Sequence, residues 1–337
     1  MALVALLVGT SCSDTTDPLG TSAPTDVPAP VATTDAATAT ETLATASSFA
    51  SYNGVPFGPF GLWNSWTSTF WGPKPLTNAQ QCSNPSGIVT LIQSARLKGQ
   101  SLVLQMTCGA KSDFMTNGNF DSSKWKSAMN KYNTTTIRNA IAAGVSDGTI
   151  IANSMVDEPE HKNWGTSITK ALLDNMAVYA KAMFPTLPEG VSHGPGGYVW
   201  RASERFTKLD YVNYQYAYRI GNGNVAAYRD AVLSQSQKDG VATSFSVNIL
   251  NGGRQDTQGS WDCTGTGQAG KGTYTPNCRM TATQLRDWGT TLGTSGACML
   301  LMWKYNATYF SRSDNQSALQ KVATTLASRS RKACRRP

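Results

Sequence analysis

The chain is poor in the residues that announce several common chemistries. Only two histidines occur in 337 residues, and there is no CxxC and no HExxH, so neither a structural zinc site nor a zincin centre is expected. No G-x-S-x-G is present; the nearest string, "GTSG" at 293–296, precedes an apolar strand pattern instead of following one, which argues against a serine hydrolase. No G-x-G-x-x-G follows the first strand pattern, so no dinucleotide is expected, and no cofactor of any kind is implied. No nucleic-acid module is recognisable either. Long apolar runs are missing too: the opening "MALVALLVGTSC" is too short to span a bilayer.

What that opening run does resemble is the end of a bacterial lipoprotein signal, with Cys12 as the lipid-bearing cysteine. Residues 13–48 follow with Thr, Ala, Ser, Pro and Asp and no aromatic residue. Such a composition cannot bury enough apolar surface to offset its ordering entropy, so it reads as a disordered tether. From residue 49 Trp, Tyr, Phe and Gly become frequent. Residues 49–330 form the expected folded domain, and 331–337 a basic tail. The expected protein is exported and monomeric, touching a membrane only through the lipid on Cys12.

Six further cysteines are present, Cys82, Cys108, Cys263, Cys278, Cys298 and Cys334. An even number in an exported chain suggests disulfides, and Cys263 with Cys278, flanking a Gly-rich loop, is the best single pair. The formal charge of +8 owes five charges to Arg329, Arg331, Lys332, Arg335 and Arg336. A solvated basic C-terminus explains them without a polyanionic partner.

Within 49–330, β-prone apolar segments alternate with helical periodicity. Strands are expected at 59–63, 101–107, 149–156, 189–193, 210–217, 241–250 and 298–306. Helices are expected at 86–99, 122–145, 167–184, near "ASERFTKL", and at 224–240, 281–293 and 313–328. This alternation implies parallel strands joined by crossover helices. The fold class is therefore α/β, a (β/α)8 barrel of the TIM type. Seven strands are legible, and the eighth is expected within 49–75 or 108–148. Polar and aromatic clusters ("NSW", "TCG", "DEPE", "SHGP", "YQYAY", "NILNGG", "WKYN") recur at the strand ends, where such barrels build their active sites.

The densest of these is "SMVDEPEHKNWG" (154–165). A strand ending in Asp157-Glu158-Pro159, with Trp164 soon after, resembles the retaining glycoside hydrolases built on TIM barrels, where Asn-Glu-Pro closes the fourth strand and its glutamate is the acid/base. The resemblance assigns Glu158 the acid/base role and a carbohydrate as substrate, with Asp157 in place of the family's asparagine. The chemistry stands on its own as well. Glycosidic cleavage needs a carboxylic acid on the leaving oxygen and a carboxylate that attacks or activates water. Asp157 and Glu160 beside Glu158 would raise its pKa by like charge and suit it to proton donation. Strand alternation places Ala152, Ser154 and Glu158 on one face and Ile151 and Met155 on the helix side.

The family pattern then breaks. Its nucleophilic glutamate ends the seventh strand, and no late strand here ends in one. The remaining carboxylates are Asp256 and Asp262 in the loop after "NILNGG" and Asp113 after "SLVLQMT". Either a loop aspartate, Asp256 first, is the base of an inverting mechanism, or the second carboxylate is Asp157 or Glu160 itself. Three rival readings accompany this one. Asp157 to Glu160 spells D-x-x-E, a capping box. Glu158 and His161 with Asp157 or His193 could hold a divalent ion for a metal-dependent hydrolase. A non-catalytic carbohydrate-binding lipoprotein on a degenerate barrel would need no second carboxylate at all.

Sugar-facing residues are expected at the other strand ends: Trp63 and Trp66, His193, Gln215 and Tyr216, Asn248, Trp303 and Lys304. Asn64, Tyr214, Tyr218, Asn251 and Tyr305 lie among them. Aromatic faces stack on pyranose C–H groups while polar tips fix hydroxyls.

Overall fold

A computed structural model describes residues 53–62, 76–221, 224–254 and 278–337. In chain order its elements are β1 (Phe57–Pro59), β2 (Leu76–Cys82), α1 (Ile88–Leu97), β3 (Gln100–Gln105), β4 (Met115–Thr116), β5 (Asn119–Phe120), α2 (Ser122–Asn130), α3 (Thr135–Ser146), β6 (Ile150–Asp157), α4 (Lys170–Met183), β7 (Glu189–His193), β8 (Tyr211–Tyr216), α5 (Tyr218–Gly221), α6 (Val225–Asp239), β9 (Ala242–Asn248), α7 (Ala282–Gly293), β10 (Leu300–Trp303), α8 (Ala307–Ser311) and α9 (Ser313–Ala327).

Eight of these strands close a barrel in the order β1-β10-β9-β8-β7-β6-β3-β2, and its neighbouring pairs run parallel. The α/β barrel expected from the alternation is therefore the architecture. The eighth strand, β2, falls at Leu76–Cys82, between the two windows where it was sought. Its "LTNAQQC" has little apolar character to mark it. β4 and β5 form a separate antiparallel hairpin.

Local chemistry explains the element boundaries. The helix expected over 122–145 is two. Asp121 caps the first by accepting from Ser123 and Lys124 N–H, and Thr134 caps the second by accepting from Ile137 N–H. The helix expected near "ASERFTKL" does not form. There the N–H groups of Thr207, Lys208 and Leu209 donate to the Asp174 carboxylate of α4, which takes the donors a helical ladder would use. A single 3-10 turn, Gly197–Val199, stands in the β7–β8 connection.

Two apolar cores result. The larger joins outward strand residues such as Leu102, Leu104, Val191, Val212, Phe245 and Val247 to the helices. The smaller, with Val103, Ile151, Ala152, Tyr211 and Leu301, fills the barrel interior. Above it lies a polar layer: Ser244 Oγ donates to Asn213 Oδ1 at 2.9 Å and Asn213 Nδ2 to Ser246 Oγ at 3.0 Å. Layers from alternate strands are how such barrels pack.

The basic tail is not solvated along its length. Cys334 is buried and disulfide-bonded to Cys298. The Arg336 guanidinium donates to the carbonyls of Phe206, Leu209 and Asp239, and the Arg331 N–H donates to Asn53 O. The contacts precede β1, β8, β9 and β10, so the tail straps the face opposite the candidate site. The second described disulfide, Cys82–Cys108, ties the end of β2 to the loop after β3. Cys278 is disulfide-bonded as well, and Cys263, its expected partner, lies outside the described residues.

Candidate active site

β6 is the fourth strand of the barrel in chain order and ends at Asp157. The chain turns sharply at the next residue. Glu158 has φ +47°, a left-handed conformation that a non-glycine residue adopts at a cost and that clusters at functional sites. Two bonds hold it there: its N–H donates to Ser192 O at 2.6 Å, and its carbonyl accepts from His161 N–H at 2.9 Å. No α-helix starts here. His161 caps a short 3-10 turn, with Nδ1 accepting from Asn163 N–H, and α4 begins only at Lys170 with Thr169 as its cap. The capping-box reading of Asp157 to Glu160 is thereby set aside.

The loop after β7 is shaped around the carboxyl groups of this turn. A methyl group at Gly194 would lie 2.7 Å from Glu158 Oε1 and 3.3 Å from Glu160 Oε1; one at Gly197 would lie 2.7 Å from Glu160 Oε1. The glycines of "HGPGG" thus clear the space in which both carboxyl groups sit. Glu160 is bound on both oxygens, one to Gly194 N–H and one to His193 Nδ1, each at 2.6 Å. Burial pushes the Glu160 carboxyl up, but the His193 charge and the hydrogen bonds from His193 and Gly194 outweigh it, leaving it below its ordinary value. A fixed anion therefore stands beside Glu158.

Asp157 takes a different position. Its carbonyl accepts from Trp164 Nε1 at 3.0 Å, and it lines a cavity of about 210 Å³ with Gln105, Thr107, Lys111, Phe114 and Trp164 among its walls. Alternation along β6 does not decide which way these residues face. The register shifts between Ser154 and Asp157, and Ile151, expected on the helix side, belongs to the interior cluster while Met155 faces the helices.

The expected sugar-facing residues divide by face. Gln215 and Asn248 meet at the end of the polar interior, Asn248 Nδ2 donating to Gln215 Oε1 at 2.9 Å. Trp303 pairs in register with Asn248 and packs on the interior cluster, with Lys304 exposed beside it and its Nζ 5.8 Å from the Trp303 ring. Tyr216 points the other way, against Tyr228 of α6 and Trp288 of α7. His193 stacks on Tyr214 and packs on Trp200. Its ring holds Glu160 in place, away from the barrel interior. Trp63, Trp66 and Asp256 lie outside the described residues.

The seventh barrel strand, β9, ends at Asn248. Its Oδ1 accepts from Asn251 N–H at 2.8 Å, so this position holds a locked amide where the sequence resemblance leads one to look for a carboxylate. Among the described residues no three His, Cys, Asp or Glu side chains converge to hold a metal ion, and His161 is engaged in its cap; the metal-dependent reading has no support here. Sequence reasoning missed Gly194 and Gly197 as parts of this site. Their run was visible in the sequence, but not that it makes room for the protein's own carboxyl groups.

No protein-family model matches the chain. No curated protein matches it either. Solved structures do. One is xylanase A of P. fluorescens subsp. cellulosa in complex with xylopentaose, 10% identical over 82% of this chain and 97% of that one, with a TM-score of 0.49. Another is a GH113 β-1,4-mannanase, 8% identical over 82% of this chain and 99% of that one, also at 0.49. A third is a GH10 xylanase containing a bacterial Ig-like domain, from termite gut, 12% identical over 83% and 76% with a TM-score of 0.47. All three are glycoside hydrolases. The likeness is one of barrel architecture alone.

Proposed function

We propose that the protein hydrolyses glycosidic bonds in a poly- or oligosaccharide, with Glu158 as general acid. One observation carries this: Glu158 stands at the end of the fourth barrel strand in a left-handed conformation, its carboxyl in a space cleared by glycine beside an anchored anion. In this reading the Glu158 proton passes to the leaving glycosidic oxygen as the C–O bond breaks. Glu160, tied to His193 and Gly194, borders the space in which the Glu158 carboxyl stands. Asp157 completes the acidic side, and Asp256 is the base that takes a proton from the attacking water, in an inverting mechanism. Gln215, Asn248 and Trp303 line the substrate's path. The disulfides support a protein that works after export, carried on the tether of residues 13–48 and anchored through a lipid on Cys12.

The test is turnover. Wild-type protein is assayed for new reducing ends on a panel of plant, algal and animal polysaccharides, and Glu158→Gln is assayed on whichever is cleaved. A loss of at least a hundredfold with an unchanged melting temperature is expected; undiminished cleavage overturns the role of Glu158. The locked amide at Asn248 favours a second reading, a carbohydrate-binding protein without turnover. It predicts glycan binding by both forms and cleavage by neither.

A further inference from the structure

The candidate site has two electrically different halves. The half built from β6 holds Asp157, Glu158 and Glu160, with Lys162 in the same loop and Lys111 lining the cavity beside Asp157. The opposite half is built from the loops after β8, β9 and β10. Their described residues (217–221, 224, 249–254, 278–281 and 304–306) include Arg219, Arg254, Arg279 and Lys304. The β9–α7 loop also carries Lys271, Asp256 and Asp262 outside the described residues, so these loops stay net basic. Arg254 and Lys304 are exposed. Each lies over an aromatic ring, Arg254 at 5.5 Å from the Tyr218 centroid and Lys304 at 5.8 Å from that of Trp303. The Tyr218 ring is itself stacked on Trp288, and the Arg219 guanidinium donates to Asn251 O at 3.0 Å. The ring contacts fix the positions of the Arg254 and Lys304 side chains.

We infer that the substrate is an acidic glycan, and that its carboxylate or sulfate groups lie on the half of the mouth formed by Arg254 and Lys304. The inference rests on the glycosidase reading and names its substrate class. A neutral sugar would need only the flat face of Trp303 and the amides of Gln215 and Asn248. Exposed cations on the loops after β9 and β10 add a charge-assisted hydrogen bond for each anionic substituent within reach. They also raise the local concentration of a polyanion at the mouth, an effect that salt weakens. The acidic side sets the orientation: repulsion from Glu160 and Asp157 keeps anionic units off the β6 half and leaves the leaving oxygen of the scissile bond to Glu158.

The experiment measures binding by the full-length Glu158→Gln protein, so that cleavage does not intervene. The probes are polymannuronate, polygalacturonate and hyaluronan, each before and after carboxyl reduction, and chondroitin sulfate before and after desulfation. Each pair keeps its linkage; carboxyl reduction leaves a neutral polymer, whereas desulfated chondroitin keeps its carboxylates, so that pair reports on sulfate alone. The acidic member of at least one pair is expected to bind tenfold or more tightly in 50 mM salt, and the pair that responds identifies carboxylate or sulfate as the recognised group. That preference falls below threefold in the Arg254→Gln/Lys304→Gln variant and persists in Lys238→Gln/Lys321→Gln, whose charges lie on α6 and α9. Equal binding of charged and neutral members overturns the inference. So does a preference that survives loss of Arg254 and Lys304, because it would then reflect only the general attraction of a basic protein for polyanions. The two proposals fail separately. Acidic polymer bound but never cleaved by wild type refutes hydrolysis alone; a neutral polymer cleaved through Glu158 with no acidic preference refutes the substrate class alone.

Discussion

His193 Nδ1 lies 2.6 Å from Glu160 Oε2, and this contact joins the ends of two neighbouring barrel strands. With the Gly194 N–H on its other oxygen, it fixes the Glu160 carboxylate beside the Glu158 carboxyl group. The site's acid/base logic starts from this tie, which fixes Glu160 next to the space that holds the Glu158 carboxyl.

Removing that tie has a pH-dependent signature. Glu160 sits below its ordinary value of 4.5 in the fold, so its stabilisation is fully present above that pH and is lost as pH falls through the folded value. Glu160→Gln is expected to lower stability by about 1–3 kcal/mol at pH 7, with the gap to wild type closing as pH drops below the ordinary value. Chemical denaturation at a series of pH values measures it. A constant gap across the series would show that Glu160 is not held ionised.

Gly194 has a spatial role that alanine reveals. The added methyl would meet Glu158 Oε1 at 2.7 Å, and a flexible carboxyl end can move aside cheaply. Gly194→Ala is expected to change stability by less than about 1 kcal/mol while lowering kcat roughly a hundredfold by displacing the acid. Full activity in this variant would show that the Glu158 carboxyl works elsewhere.

Tyr216 and Asn248 separate the two faces of the barrel wall. The Tyr216 hydroxyl is buried without a hydrogen-bond partner, so Tyr216→Phe is expected to be neutral or slightly stabilising and to leave KM unchanged. Asn248→Ala removes a group at the mouth and breaks its bonds to Gln215 and Asn251; KM is expected to rise about tenfold, equivalent to about 1.4 kcal/mol. Steady-state kinetics on the cleaved substrate decides, and a reversed order would place Tyr216 in the substrate path.

Lys170 and Asp239 form a buried pair at 2.8 Å, with 2% and 1% of their side chains exposed. Lys170→Met leaves the Asp239 charge unpaired and is expected to cost about 3–5 kcal/mol. The Lys170→Met/Asp239→Leu double variant should recover most of that, because it removes the desolvated charges together. Thermal melts of the three proteins test it; a double variant no better than the single would locate the stability in the remaining bonds of Asp239.

The sequence by itself determined the parallel β/α alternation, because buried strands and amphipathic helices each leave a periodic apolar pattern. It also determined Glu158 as the principal candidate, because a polar cluster directly after an apolar run marks a strand end. It did not show β2, whose polar string hides a strand. Nor did it show that "ASERFTKL" gives its N–H groups to Asp174, or that the tail docks through Arg336 and Cys334. Only the tertiary structure decided which way side chains face. On β6 a register shift near Ser154 breaks simple alternation, whereas on β8 alternation holds and turns Gln215 inward and Tyr216 to the helices. Only the fold could bring Gly194 and His193 beside Glu158 and Glu160 across more than thirty residues of chain. Contacts between strand ends depend on the closed sheet, and local sequence carries no record of them.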